Sequence, residues 1–250
     1  MDLKGYFKKA EREKWAIGAF NFAQEERFQA IVKASQKLKA PVILAISERS
    51  SRVFGIKKVA GLFKKTEGSL FLHLDHSESL DYIKKAIDSG FNSVHFDGSG
   101  LNLDENIETS RSVVEYAHSK NILVEGEINP IGGESLTDVE EAERFIKETG
   151  VDSLAVTIGN IHGVEKSGQN PPLDLGRLAA IKEKLIGFPL VLHGGSGTSE
   201  KDIKEAIKLG IVKVNINTEL KIAYKEGGEE AVEKAVEEKI KLFGSIGKAC

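Results

Sequence analysis

The sequence predicts a single-domain (β/α)8 barrel, and three observations predict it. Eight short apolar, β-rich runs recur along the 250 residues. Segments with helical periodicity lie between them. The unusual polar residues gather where the apolar runs end, the place where barrels of this class build their sites.

The strand-like runs cover 16–22, 41–47, 70–76, 93–97, 122–128, 153–159, 189–194 and 213–217. They are nearly continuous in apolar residues, as expected of parallel strands covered on both faces. Helical spacing follows: Phe28, Ile31, Val32 and Leu38 in 25–39; Leu80, Ile83, Ala86 and Ile87 in 79–89. Segment 109–119 carries Val113, Val114 and Ala117, and 138–148 carries Val139, Ala142, Phe145 and Ile146. Spacings of three and four give one buried stripe per helix. Gly90, Gly150 and Gly210 each end a helical segment, as left-handed caps do. Ser199 is placed to cap a helix, with Asp202 three residues on. An open doubly wound sheet is the weaker alternative, because no Gly-x-Gly-x-x-Gly follows the first run. Residues 1–250 read as one barrel domain, with 229–242 as a charged amphipathic helical tail.

A formal net charge of −3 offers no long-range attraction for nucleic acid or an acidic membrane. No apolar run approaches the roughly 18 residues of a spanning helix. The one cysteine, Cys250, excludes an intrachain disulfide. These features lead us to expect a cytoplasmic protein acting on a small molecule.

Strand-end residues carry the chemistry. Asn21, Ser47, Asp75 with His76, Asp97 with Ser99, Glu125 with Glu127, His162, His193, and Asn215, Asn217 and Thr218 all fall there. Three imidazoles from three strand ends, His76, His162 and His193, suit one zinc ion with an open fourth position. His73 shares strand parity with Asp75 and is expected to face the barrel interior behind the ligands. His95 reads as an interior packing residue and His118 as solvated. The turn Gly194-Gly195-Ser196-Gly197, after the seventh strand, suits a phosphate on backbone N–H groups. Thr218 opens the next helix, as a cap or a phosphate donor. Metal, phosphate and a neighbouring Asp point to metal-assisted chemistry on a phosphorylated small molecule.

From Ala19 to Leu220 these strings resemble the class II, zinc-dependent fructose-bisphosphate and tagatose-bisphosphate aldolases. The resemblance rests on Ala19-Phe20-Asn21, His73-Leu74-Asp75-His76, Asp97-Gly98-Ser99, Glu125-Gly126-Glu127, His162-Gly163-Val164, the glycine turn at 194–197 and Lys213-Val214-Asn215. It implies His76, His162 and His193 as catalytic metal ligands, with Glu127 holding zinc in an alternative position. It implies Asp75 as the acid/base. Gly163, Gly194, Gly195, Ser196, Asn215, Asn217 and Thr218 would cradle dihydroxyacetone phosphate, with Lys166 near the phosphate. Asn21 and Ser47 would face the aldehyde half.

The implied reaction is reversible cleavage of fructose 1,6-bisphosphate to dihydroxyacetone phosphate and glyceraldehyde 3-phosphate through a metal-stabilised enediolate. A divalent ion other than zinc and an additional monovalent cation are both compatible, and relatives are homodimers or homotetramers. The loop 129–136 is shorter than in relatives. Ser135 stands at the usual glutamate position, which makes Glu134 the candidate base; Gly100 and Glu165 depart from the family pattern as well. Lys213 is not required as a Schiff-base residue. The alternatives are an aldolase for another ketose phosphate, a metal-dependent hydrolase or isomerase, and a non-catalytic sugar-phosphate-binding homologue.

Overall fold

A computed structural model describes residues 1–133, 135–165 and 170–250. Its strands are β1 (Ile17–Asn21), β2 (Val42–Ser47), β3 (Leu70–Ser77), β4 (Ser93–Asp97), β5 (Leu123–Glu127), β6 (Ser153–Ala155), β7 (Leu190–Leu192) and β8 (Ile211–Ile216). All pair in parallel in chain order, and β8 closes on β1 with Ile17 opposite Lys213. This is the expected (β/α)8 barrel. The helices are α1 (Leu3–Glu13), α2 (Glu25–Leu38), α3 (Glu48–Phe54), α4 (Ile56–Phe63), α5 (Leu80–Ser89), α6 (Leu103–His118), α7 (Val139–Thr149), α8 (Leu175–Lys184), α9 (Glu200–Leu209) and α10 (Thr218–Leu242).

Local chemistry sets the helix ends. The Ser199 hydroxyl accepts from Asp202 N–H at the start of α9. Gly90, Gly150 and Gly210 adopt left-handed conformations at the ends of α5, α7 and α9. The expected tail 229–242 is the second half of α10, which begins at Thr218 and breaks at Gly227 and Gly228.

Two cores hold the barrel. The larger lies between the sheet and the outer helices. The smaller plugs the amino-terminal end of the barrel, where Leu3, Tyr6, Phe7 and Ala10 of α1 pack with Ile17, Ile43 and Phe71. Above this plug the barrel turns polar: His73, Ser93, Glu125 and Lys213 are each at most 4% exposed.

Several bounds differ from the sequence expectation: β7 is Leu190–Leu192 rather than 189–194, and β8 begins at Ile211 rather than at 213. Strand β6 stops at Ala155 rather than at 159. Beyond it Thr157 N–H donates to Thr137 Oγ1 and Thr137 N–H donates to Thr157 O, both at 2.8 Å. These bonds draw the chain off the sheet and start the segment that carries His162. Strand β3 keeps its length, but its register against β4 shifts between Leu74 and Ser77. There His76 adopts φ +45°. A left-handed residue in a strand end lets consecutive side chains turn toward one side, so Asp75 and His76 both reach the pocket.

Candidate active site

At the carboxyl ends of the strands a cavity of about 340 Å3 is lined by Asn21, Ser47, Asp75, His76, His162, Gly163, His193, Gly194, Ser196, Asn215, Asn217, Thr218 and Lys221. The imidazoles converge there. The ring of His76 lies 5.0 Å from that of His162 and 4.6 Å from that of His193, centre to centre, with His162 and His193 at 6.3 Å. His162 is exposed at the mouth, whereas His193 is buried.

Hydrogen bonds fix which nitrogen of each ring is free. His76 Nδ1 donates to Asp97 Oδ2 at 2.7 Å, leaving Nε2 buried without a partner. His193 Nε2 donates to Glu125 Oε1 at 2.8 Å, which leaves the Nδ1 lone pair for the pocket. Carboxylates behind ring N–H groups are the usual way to orient metal-binding histidines. The Glu125 carboxylate in turn receives Lys213 Nζ at 2.6 Å. Lys213 also reaches His73 Nε2 at 3.2 Å, and His73 Nδ1 lies 2.8 Å from Ser93 Oγ. His73 therefore faces the barrel interior, as its parity predicted.

Electrostatics follow from this layering. Burial pulls the His193 imidazole well below its ordinary value, and the charges of His76 and Lys213 add to the effect. These effects favour the neutral imidazole. Burial alone would lower His76, but Asp75, Asp97 and Glu127 outweigh it and raise the ring to about 9. Burial would raise Glu125, yet Lys213 and the neighbouring rings hold it below the usual carboxylate range. Glu127 goes up to about 8, through burial and the charge of Asp97.

Asp75 is held on both sides. Asn21 Nδ2 donates to its Oδ2 at 2.8 Å and Asn215 Nδ2 to its Oδ1 at 2.9 Å. Burial would raise its pKa, but His76 and His193 hold it well below the carboxylate range. Each carboxylate oxygen keeps a further lone pair for a substrate hydroxyl.

The glycine turn needs its glycines. A Cβ on Gly194, at φ +66°, would fall 2.1 Å from Ile161 O, so this glycine lets the His162 segment press against β7. Ser196 Oγ accepts N–H groups of Asn217 and Glu219 at 3.3 Å each, at the start of α10, which frees its own O–H to donate into the cavity. The N–H groups of Gly195 and Gly197 are taken by Asn215 O and Glu219 Oε1. Gly195 thus stands behind the wall rather than in it, because its N–H completes the approach of β7 to β8.

Of the expected site residues, Asn21, Ser47, Asp75, His76, His162, Gly163, His193, Gly194, Ser196, Asn215, Asn217 and Thr218 line one cavity. Asn21 and Asn215 do so with their amides on Asp75. Glu127 is buried outside the lining, with Oε2 3.9 Å from His76 Nδ1 and without a hydrogen-bond partner. Glu134 and Lys166 lie outside the described residues.

His95 is more than a packing residue. Its ring centre is 4.7 Å from that of His76 and 5.1 Å from that of His193. Its Nδ1 accepts His76 N–H at 3.3 Å, and ligand atoms of Asp75, His76, His95 and His193 all lie within 4.8 Å of one another. Its position two residues before Asp97, opposite Glu125, carried the signal. Lys221 of α10, which also lines the cavity, had no such signal. An orphaned imidazole nitrogen, a neutral imidazole with an oriented lone pair and a third ring at the mouth suit a divalent ion.

The whole chain matches relatives of known class. Residues 1–248 match the family described as "Fructose-bisphosphate aldolase class-II". The fructose-bisphosphate aldolase of Geobacillus stearothermophilus is 35% identical, over 100% of this chain and 98% of that protein. The 6-phospho-5-dehydro-2-deoxy-D-gluconate aldolase of Shouchella clausii is 38% identical, over 96% and 93%. Among solved structures, the YdjI aldolase of Escherichia coli K12 superposes with a TM-score of 0.90 at 35% identity, covering 100% of this chain and 99% of that one. Set on a closed barrel with imidazoles and a carboxylate at its carboxyl end, these matches place the chain among the lyases of the aldolase class. The chain belongs to the class II fructose-bisphosphate aldolase family.

Proposed function

We propose that this chain catalyses reversible aldol cleavage of fructose 1,6-bisphosphate to dihydroxyacetone phosphate and glyceraldehyde 3-phosphate. The observation that carries the reading is Asp75, ionised between two amides, in the same cavity as His76, His162 and His193. In this reading those three histidines hold the divalent ion, zinc by preference. When bound, that ion supplies Lewis-acid polarisation of the ketone oxygen.

The chain's own groups do the rest. Asp75 takes the C4 hydroxyl proton as the C3–C4 bond breaks and returns it in condensation. Asn21 and Asn215 keep its carboxylate in one orientation. The Ser196 hydroxyl, Thr218 and the positive end of α10 receive the C1 phosphate and hold the reacting carbons in register. The Lys213–Glu125 pair holds the His193 ring, and Asp97 that of His76. Glu134 remains the proposed base for the carbon-bound proton.

A related ketose phosphate is the second reading, favoured by relatives named for 6-phospho-5-dehydro-2-deoxy-D-gluconate. A coupled assay for triose phosphate, run on fructose 1,6-bisphosphate, tagatose 1,6-bisphosphate and that compound, tests both. We expect chelator-sensitive release from the fructose substrate. Release from one of the other two alone would transfer the assignment to it. No release from any would refute the aldolase reading.

A further inference from the structure

The segment that carries His162 and the turn that carries Ser196 follow different strands, and one side chain joins them. Asn170 is 6% exposed and stands outside the cavity lining. Its Nδ2 donates to Gly163 O at 3.0 Å and to Ser196 O at 2.9 Å, and its Oδ1 accepts Glu165 N–H at 3.0 Å. Its own N–H donates to Gly197 O at 3.1 Å. The amide thus grips the backbone just after His162 and the glycine turn at the same time. Little slack remains: a Cβ on Gly197, at φ +79°, would fall 2.9 Å from Asn170 Oδ1. On its other side the turn is tied to the start of α10, through Ser196 Oγ and Gly197 N–H. Asn160 makes a simpler link: its Nδ2 donates to His193 O at 3.1 Å, and its Oδ1 accepts Ile158 N–H at 2.8 Å. It joins the two strand ends at the metal side, whereas Asn170 joins the metal side to the turn.

We infer that Asn170 is a positioning residue that couples a metal ion at His162 to an anion at the glycine turn, so that each binds more tightly when the other is present. The inference rests on the metal and phosphate sites of the aldolase reading and adds to it the energetic link between them. A buried amide keeps all its hydrogen bonds only while both segments stand where those bonds need them, and a lost partner is costly. Ordering either segment therefore orders the other through Asn170, and the second ligand meets less of the ordering cost. The gain is reciprocal, because it is one coupling free energy seen from two sites.

The test uses no substrate. Cobalt(II) is titrated into the metal-free protein and followed by its visible absorption, with and without saturating inorganic phosphate; the ratio of the two affinities is the coupling. Direct attraction between the two ions survives in every variant, so the drop in that ratio reports on Asn170. Wild type should gain at least about fivefold in cobalt affinity from phosphate, the lower end of usual couplings. Asn170→Ala should weaken cobalt binding alone by about 10- to 100-fold and cut the ratio by at least about threefold. Asn170→Asp keeps the shape and the acceptor for Glu165 N–H but loses both donated bonds, and should cut the ratio as much. In metal-free wild type, phosphate alone should slow hydrogen exchange at Glu165 N–H. A residue that merely supports the fold would weaken the binding of both ions and leave the ratio as in wild type. That result in either variant, or Glu165 exchange indifferent to phosphate, overturns the inference. If neither variant folds, exchange at Glu165 decides. A wild type that takes up no cobalt removes the metal reading and the inference together, whereas intact coupling in a protein that releases no triose phosphate removes only the aldolase reading.

Discussion

Replacing Glu125 by Gln tests the idea that a buried ion pair holds a metal ligand in place. Glu125 and Lys213 are 2% and 1% exposed and 2.6 Å apart, and the other oxygen of Glu125 accepts from His193 Nε2. The amide keeps the size of the side chain but leaves the Lys213 ammonium without a counter-charge. Breaking a buried pair from one side costs about 3–5 kcal/mol. In a chain of this length that lowers the thermal midpoint by about 6–20 °C. The amide also weakens the hold on His193, for which about 10- to 100-fold in metal affinity is the usual loss. Thermal unfolding of the metal-free protein reads the first effect, and zinc titration against a chromophoric chelator reads the second. Adding Lys213→Met should restore most of the midpoint, because removing both charges together is nearly neutral. It should leave zinc binding weak. A single variant that unfolds at the wild-type midpoint, or binds zinc as tightly as wild type, would refute the reasoning.

Asp75→Asn should retain bound metal and lower cleavage by about 10²–10⁴-fold, the usual contribution of a positioned acid/base; steady-state cleavage beside elemental analysis checks it, and near-normal turnover removes Asp75 from proton transfer. Metal affinity should fall about tenfold per pH unit below about 9 and level off above it, because the raised His76 ring holds a proton that the ion must displace; a flat zinc affinity between pH 6 and 8 contradicts this. Gly194→Ala should destabilise the fold by about 1–3 kcal/mol, the cost of forcing a side chain into a left-handed backbone, and weaken metal binding by displacing the His162 segment; denaturant unfolding with zinc titration reads both.

Much of the fold was legible because parallel strands covered on both faces declare themselves as apolar runs. Helix α1 was not anticipated: it precedes the first strand, and its apolar residues are buried only because the barrel end offers Ile17, Ile43 and Phe71. The short β6 followed from Thr157 and Thr137, a pairing across 20 residues that local pattern does not reveal. In the site, strand-end position pointed to Asp75, His76 and His193, and the three line one cavity. The clamp on Asp75 was invisible because Asn21 and Asn215 lie 54 and 140 residues away in the chain. His95 was within reach of sequence reasoning, since it alternates with Asp97 on β4.

Anomalous X-ray diffraction at the zinc edge from zinc-loaded crystals tests the central assignment most directly. We expect one principal peak about 2.0–2.1 Å from a ring nitrogen of each of His76, His162 and His193, with Asp75 facing the open side. A principal peak held instead by His95 and Glu127, with His162 turned away, would contradict the account.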